Sequence, residues 1–132
     1  MSFDLINPAS LGAPRGYSNG VMTPPNGRLL FIAGQVAWDE HQQIVSPDFV
    51  EQFDRALANL IQVVSAAGGT PDAIARLTIY VTDKNEYCQC TAEIGVRWRA
   101  RMGRHFPAMT LVEVNSLLED GAIVEIEGIA VL

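Results

Sequence analysis

Two glutamates near the end of the chain, Glu125 and Glu127, could act as acid–base groups. They are two residues apart in an apolar run typical of a β-strand, so their side chains would share one face with roughly 6.5–7 Å between the Cα atoms. A carboxylate in a half-apolar cleft can exchange a proton with a substrate or a water. Inverting glycosidases use carboxylates at a spacing of this order. The alternative is structural, because surface glutamates commonly form salt bridges or contact solvent.

The other reactive side chains form no recognisable motif. His41 and His105 lack a Ser or Cys partner pattern, and no glycine-rich phosphate-binding loop is present. Cys88 and Cys90 would point about 200° apart on a helix. With one nearby histidine and no second cysteine pair, they predict neither a disulfide nor a metal site.

Tyr17 lies in a glycine-rich N-terminal segment, GAPRGYSNG. Its hydroxyl could donate to a ligand, although a buried tyrosine usually satisfies its hydroxyl locally. Because the segment follows no strand, we interpret it as a loop.

Hydrophobic spacing predicts the elements that would position these residues. We expect residues 1–16 to be irregular and strands at 17–23 and 28–35 to form a hairpin. A helix is expected after an N-cap at Ser46, with Pro47 in its first turn and closure at Gly68. The remaining predicted elements are a strand at 74–82, a helix at 85–103, and strands at 108–114 and 122–132.

The resulting order, β–β–α–β–α–β–β, predicts an α+β sandwich with two helices on one face of a mixed sheet. The length of 132 residues fits a single domain over residues 1–132. In the last strand, Val124, Ile126 and Ala130 would face the helices. The opposite face would combine apolar residues with the two glutamates, so we expect a second subunit to cover it.

Composition narrows the possible partners. Hydrophobic residues make up 48% of the chain and charged residues 18%, which excludes a disordered protein and suggests surface buried between subunits. The net charge of −6 argues against nucleic acid as a partner, since phosphate binding needs cations. An arginine cluster at 97–104 is the local exception. We interpret it as complementing the dipole at a helix C-terminus.

The N-terminus has neither a basic region nor an apolar stretch of the secretory type. No apolar run is long enough to predict a membrane span. With two unpaired cysteines, these features predict a cytoplasmic protein.

Five segments together resemble the Rid family, also called YjgF or reactive intermediate deaminase proteins. They cover most of the chain: INPASLGAPRGYSNGV (6–21), LLFIAGQV (29–36), LTIYVTD (77–83), FPAMTLVEV (106–114) and VEIEGIAV (124–131). The resemblance implies a chorismate-mutase-like fold and a homotrimer with a ligand cleft at each subunit interface. It also implies a hydrolase that needs no metal or organic cofactor, converting 2-imino acids and their enamine tautomers to 2-keto acids and ammonia.

The resemblance also assigns roles to individual positions. Glu125 would position the attacking water, and Tyr17 would line the pocket. Met109 occupies the place of the arginine that binds the substrate carboxylate, and Ala33 the place of a pocket serine. Leu111 is the remaining residue that we assign to substrate binding.

Met109 offers a soft apolar surface where a guanidinium would form charge-assisted bonds. We therefore expect a pocket rebuilt for a less polar or neutral ligand, unless Arg15 or an arginine of another subunit reaches in. Two hypotheses follow: an imine or enamine deaminase of altered specificity, or a non-catalytic protein that binds or senses a small apolar molecule. A ribonuclease, a label some relatives carry, is disfavoured by the net charge of −6.

Overall fold

The computed structural model, which describes residues 2–132, contains six strands and three α-helices within that range. In chain order they are β1 (Asp4–Ile6), β2 (Gly20–Met22), β3 (Leu29–Gln35), α1 (Phe49–Ala66), β4 (Ile74–Val81), α2 (Lys84–Gln89), α3 (Thr91–Met102), β5 (Ala108–Glu113) and β6 (Val124–Val131). Short 3-10 turns at Ala9–Leu11 and Pro71–Ala73 complete the regular structure.

The main sheet has four strands in the order β3-β6-β4-β5. Strand β6 runs antiparallel to β3 and β4, whereas β4 and β5 are parallel. A parallel pair needs a crossover connection, and α2 and α3 supply it. The predicted α+β architecture with a mixed sheet is confirmed, with three helices in place of the two expected.

The core lies between one sheet face and the helices. In β6 the buried residues Val124, Ile126 and Ala130 alternate with the half-buried Glu125 and Glu127, which confirms the predicted division of this strand. Within residues 2–132, no helix combines the length and the apolar character needed to cross a bilayer.

Helix α1 begins later than predicted. Its N-cap is Asp48, whose side chain accepts from the backbone N–H of Glu51 at 3.0 Å. Ser46, the predicted cap, instead accepts from the N–H of Asp48 at 3.0 Å. Aspartate caps a helix as well as serine does, and only Asp48 is placed to reach the third N–H of the helix.

The predicted hairpin between the first two strands is wrong. Strand β2 pairs with β1 in a separate two-stranded sheet, so the N-terminal segment is not wholly irregular. Asn7 holds this pairing, because its Oδ1 accepts from the backbone N–H of Asn19 at 2.7 Å. Pro24 and Pro25 follow β2 and have no N–H to continue a ladder toward β3.

The predicted helix over 85–103 is two helices that meet at Cys90. This residue leaves helical geometry, with φ −114° and ψ 16°, and its N–H donates to the carbonyl of Tyr87 at 3.0 Å. Ile94, Trp98 and Met102 of α3 are buried as predicted, and Tyr87 still packs against the core. The predicted apolar residues of this segment therefore still face the core, although the helix is broken at Cys90.

Candidate functional site

The residues predicted to form the site lie in two places, on opposite sides of the main sheet. Met109 and Leu111 are the register partners of Leu77 and Ile79, and all four pack on the helix side. Glu125 is the partner of Tyr80, on the helix-free side. Within one chain, Met109 and Glu125 therefore cannot contact the same ligand atom.

On the helix side, Met109 forms part of the wall of a cavity of about 520 Å³. The other residues lining this cavity come from the N-terminal loop, the three helices, β4 and the segment before β5: Arg15, Gly16, Phe53, Ile79, Tyr87, Thr91, Ile94, Gly95, Trp98, Arg99 and Phe106. This volume falls within the usual range for a small-molecule site. We call it the Met109 cavity.

Two aromatic rings give the Met109 cavity an apolar wall. Trp98 and Phe106 lie nearly parallel, with ring centroids 6.3 Å apart and planes at 6°. The Trp98 indole N–H donates to the backbone carbonyl of His105 at 3.1 Å, so its one polar atom is satisfied away from the cavity. The rings can therefore contact an apolar ligand at no cost in unpaired hydrogen bonds.

Ser18 fixes the N-terminal loop beside this cavity. It is buried, its hydroxyl donates to the carbonyl of Phe106 at 2.6 Å, and its N–H donates to that of Pro107 at 3.0 Å. Arg15 and Gly16 thereby reach the wall, while Tyr17 is 38% exposed. Sequence reasoning missed Ser18, because a serine that bridges two distant segments carries no local signal.

Glu125 lies over a β-bulge on the helix-free side. Between Ile32 and Gln35 the register of β3 against β6 shifts by one residue, so Ala33 and Gly34 together oppose Glu127. A Cβ on Gly34 would lie 2.8 Å from Cδ of Glu125. Ala33, predicted to line the pocket, is exposed next to this glycine.

The two glutamates differ in their hydrogen bonds. Glu127 accepts from the phenol of Tyr80, and this bond, with burial and the charges of both glutamates, raises the pKa of Tyr80. Glu125 accepts no hydrogen bond from any residue within 2–132. One carboxylate is thus committed to the protein, and the other is open to water or a ligand.

Gln52 positions the strand that carries both glutamates. Its amide NH₂ donates to the carbonyls of Ser46 and Gly121 at 2.9 and 2.8 Å, and its carbonyl accepts from the N–H of Ile123 at 2.9 Å. The side chain is fully buried, so these bonds clamp the turn before β6 onto α1. The helical pattern predicts no role for Gln52, because only the fold brings residue 123 to it.

The arginines between residues 97 and 104 differ in their contacts: two form ion pairs with α1, and one lines the Met109 cavity. Arg97 and Arg101 both bind Asp54 of α1, at 2.9 and 2.5 Å, and Arg97 also contacts Glu51. The bonds from Arg101 and Arg97 hold the pKa of Asp54 below its usual value. Arg99 points elsewhere and lines the Met109 cavity.

This α+β fold is that of the Rid-type proteins, as comparisons with known sequences and structures show. The sequence model described as Endoribonuclease L-PSP matches residues 8–132. The conserved Rid-family protein YyfB of Yersinia pestis is 33% identical and superposes with a TM-score of 0.84, each chain being covered over 100% of its length.

Curated relatives agree with this placement. The 2-iminobutanoate/2-iminopropanoate deaminase of Salmonella typhimurium is 33% identical over 126 residues, which is 93% of this chain and 94% of the relative. A RutC family protein of Pyrococcus horikoshii is 33% identical over 105 residues, or 79% of each. The chain belongs to the Rid/YjgF family.

Proposed function

We propose that this protein hydrolyses a reactive imine or enamine to a carbonyl compound and ammonia, with Glu125 holding the attacking water. The observation that carries the proposal is the Glu125 carboxylate, which lies over Gly34 without a hydrogen-bond donor from residues 2–132. The deaminase name of the Salmonella relative supports the same reaction class.

The reaction needs little more than a positioned water and a proton acceptor. Glu125 takes a proton as the water oxygen bonds to the imine carbon, and the electron pair of the C=N bond moves to nitrogen, which is protonated. The hydroxyl proton of the tetrahedral carbinolamine then passes to the amino nitrogen, so the C=O bond forms as the C–N bond breaks and neutral ammonia leaves. The two protons that nitrogen gains are the two that the water loses. No electron is exchanged with a cofactor in any step.

The site is completed by a second copy of the chain in a homotrimer. Glu125 and the Met109 cavity lie on opposite sides of one sheet, so only a neighbouring subunit can bring them to one ligand. The exposed Leu29 and Phe31, at 62% and 71%, support a covered helix-free face, because water-exposed apolar patches of this kind mark interfaces. Light scattering should give three times the mass of one chain, and a monomer would overturn this arrangement.

The direct test is ammonia release from a panel of imines generated in situ by an amino-acid or amine oxidase. Wild type should accelerate release from at least one imine, and Glu125→Gln should lose most of that acceleration. Glu127→Gln is the matched control on the same strand face and should retain it, because Glu127 is bound to Tyr80. Equal loss in both variants would remove Glu125 from its role.

A second candidate is a protein that binds an apolar molecule without turnover. The apolar wall of the Met109 cavity, formed by Trp98, Phe106 and Met109, favours it. Saturable binding with no imine hydrolysed across the panel would establish this function in place of the first.

The family model carries a ribonuclease name, but the charges of this chain favour neither an RNA site nor RNA cleavage. Arg97 and Arg101 are held by Asp54, and the net charge is −6. Phosphate contacts dominate RNA affinity and require free cations.

A further inference from the structure

Two arginines stand out in the Met109 cavity because they are the only charged residues of its lining. Arg15 enters from the N-terminal loop and Arg99 from α3. Within residues 2–132, neither forms an ion pair, whereas Arg97 and Arg101 on the same helix are both bound to Asp54. The cavity thus has two exposed, unpaired cations and no carboxylate in its lining, although the net charge of the chain is −6.

The positions of both arginines are set by the surrounding structure. The Arg99 guanidinium folds back along α3, where its Nη1 lies 3.6 Å from the position that a Cβ on Gly95 would take. Gly95 lines the same cavity, so this guanidinium lies over a wall residue that carries no side chain. Arg15 is three residues before the buried Ser18, which anchors the loop to the segment before β5.

We infer that Arg15 and Arg99 bind the carboxylate of a ligand whose apolar body lies against Trp98, Phe106 and Met109. A guanidinium presents a planar fork of donors to a carboxylate and loses little entropy on binding it. Met109 supplies a polarisable apolar contact at the inner wall. In this arrangement the carboxylate is bound at the cavity rim, where the exposed Arg15 and Arg99 lie, and not at the position of Met109.

The inferred carboxylate site indicates the substrate class of the proposed deamination. This assignment of a substrate rests on the proposed function. The ligand is an amphiphilic acid with an aromatic or branched apolar body. A three- or four-carbon 2-imino acid is too small to fill a cavity of about 520 Å³ while reaching the rim arginines. Because Arg15 lines this cavity, we adopt the alternative in which an arginine reaches the ligand, and we expect an anion in place of the neutral ligand that Met109 alone would favour.

The test compares two probes with the same apolar body, the anionic 3-phenylpropanoate and the neutral 3-phenylpropanamide, by isothermal titration calorimetry at pH 7.5. Wild type should bind the acid at least about tenfold more tightly than the amide, the difference expected for charge-assisted bonds. Raising the salt concentration should reduce this preference, because screening weakens exposed charge pairs. Equal binding of the two probes, or binding of neither, would overturn the inference.

Variants of the arginines test which residues produce the preference for the acid over the amide. Arg15→Gln with Arg99→Gln should lower acid affinity to that of the amide and leave amide affinity unchanged. Arg104→Gln removes an exposed arginine outside the cavity and should preserve the preference. Persistence of the preference in the double variant, shown to be folded by circular dichroism, would contradict the assignment. Because binding is measured without turnover, acid preference without ammonia release would refute the proposed reaction and leave the carboxylate site standing.

Discussion

The carboxylate of Glu125 lies against the backbone of Gly34, so closely that a Cβ on this glycine would lie 2.8 Å from both Cδ and Oε1. The glycine sits in the bulge of β3, where the register against β6 shifts. A bulge that redirects a strand next to a functional side chain is a common arrangement. The absent side chain of Gly34 therefore sets where the Glu125 carboxylate can rest.

Replacing Gly34 with alanine should displace this carboxylate and lower imine hydrolysis by at least about tenfold, while the free energy of unfolding changes by less than about 1 kcal/mol. The stability effect is small because the contacting atoms are the end of a flexible side chain. Rates and urea unfolding measured together separate the two effects. In a Glu125→Ala background, Gly34→Ala should cause no additional loss of rate; an additional loss would mean that the glycine acts through another group.

Ser18→Ala should destabilise the protein by about 1 kcal/mol, since a buried hydroxyl bond to the carbonyl of Phe106 is lost. The same change should loosen the loop that carries Arg15, so limited proteolysis should cut residues 9–17 faster. Ser116→Ala, at an exposed position, is the matched control and should change neither measurement. Unchanged stability in Ser18→Ala would show that water replaces the bond without cost.

Tyr80 should make stability fall at alkaline pH. Its hydrogen bond to Glu127 raises the pKa of the phenol above its ordinary value of 10.0, so the folded state favours the neutral form. The stabilisation of the folded state that comes from the neutral Tyr80 phenol is fully present below pH 10.0. It is lost as pH rises through the pKa of Tyr80 in the folded state. Thermal melts between pH 8 and 11.5 should show a steeper fall for wild type than for Tyr80→Phe.

Glu127→Gln should lower the pKa of Tyr80 toward its ordinary value, because the carboxylate charge and its hydrogen bond are removed. Absorbance titration of the phenolate, with Tyr80→Phe subtracted to remove the other tyrosines, measures the shift. An unchanged titration would show that burial alone holds the phenol neutral.

Single-stranded RNA should not bind at 0.15 M salt, as measured by fluorescence anisotropy, because the net charge is −6 and Arg97 and Arg101 are bound to Asp54 and Glu51. Asp54→Asn releases Arg101 and one contact of Arg97, and should raise weak binding at low salt by an amount that falls as salt increases. Sub-micromolar binding by wild type would refute the argument from charge.

The last strand and the first helix could be predicted from sequence because their signals are local. Alternation along β6 separates Val124 from Glu125, and the spacing of Phe53, Leu57 and Leu60 defines the buried face of α1. The pairing of β1 with β2 was not predictable, since it depends on Asn7 and Asn19 meeting through the fold.

The site was harder to predict because its geometry depends on register between strands. That Met109 faces the helices follows from its pairing with Leu77, and parallel register is not encoded in either strand alone. The same pairing separates Met109 from Glu125 within one chain. The rim position of Arg15 depends in turn on Ser18, whose partner is 88 residues away along the chain.

The decisive substitution for the reaction is Met109→Arg. Wild type should hydrolyse 2-iminopropanoate poorly, because Met109 cannot pair with the carboxylate of so small a substrate. Met109→Arg should raise this rate by about tenfold or more if the new guanidinium binds the carboxylate, and Ala33→Ser should add to the gain. The increase will be partial, since the new cation shares its cavity with Arg15 and Arg99 and must be desolvated there.

Light scattering alongside the kinetics should show an intact trimer. Adding Glu125→Ala should abolish the gain, since it removes the group proposed to hold the water. Efficient hydrolysis by wild type would refute the argument from Met109, and an inert but trimeric Met109→Arg would favour the protein that binds without turnover.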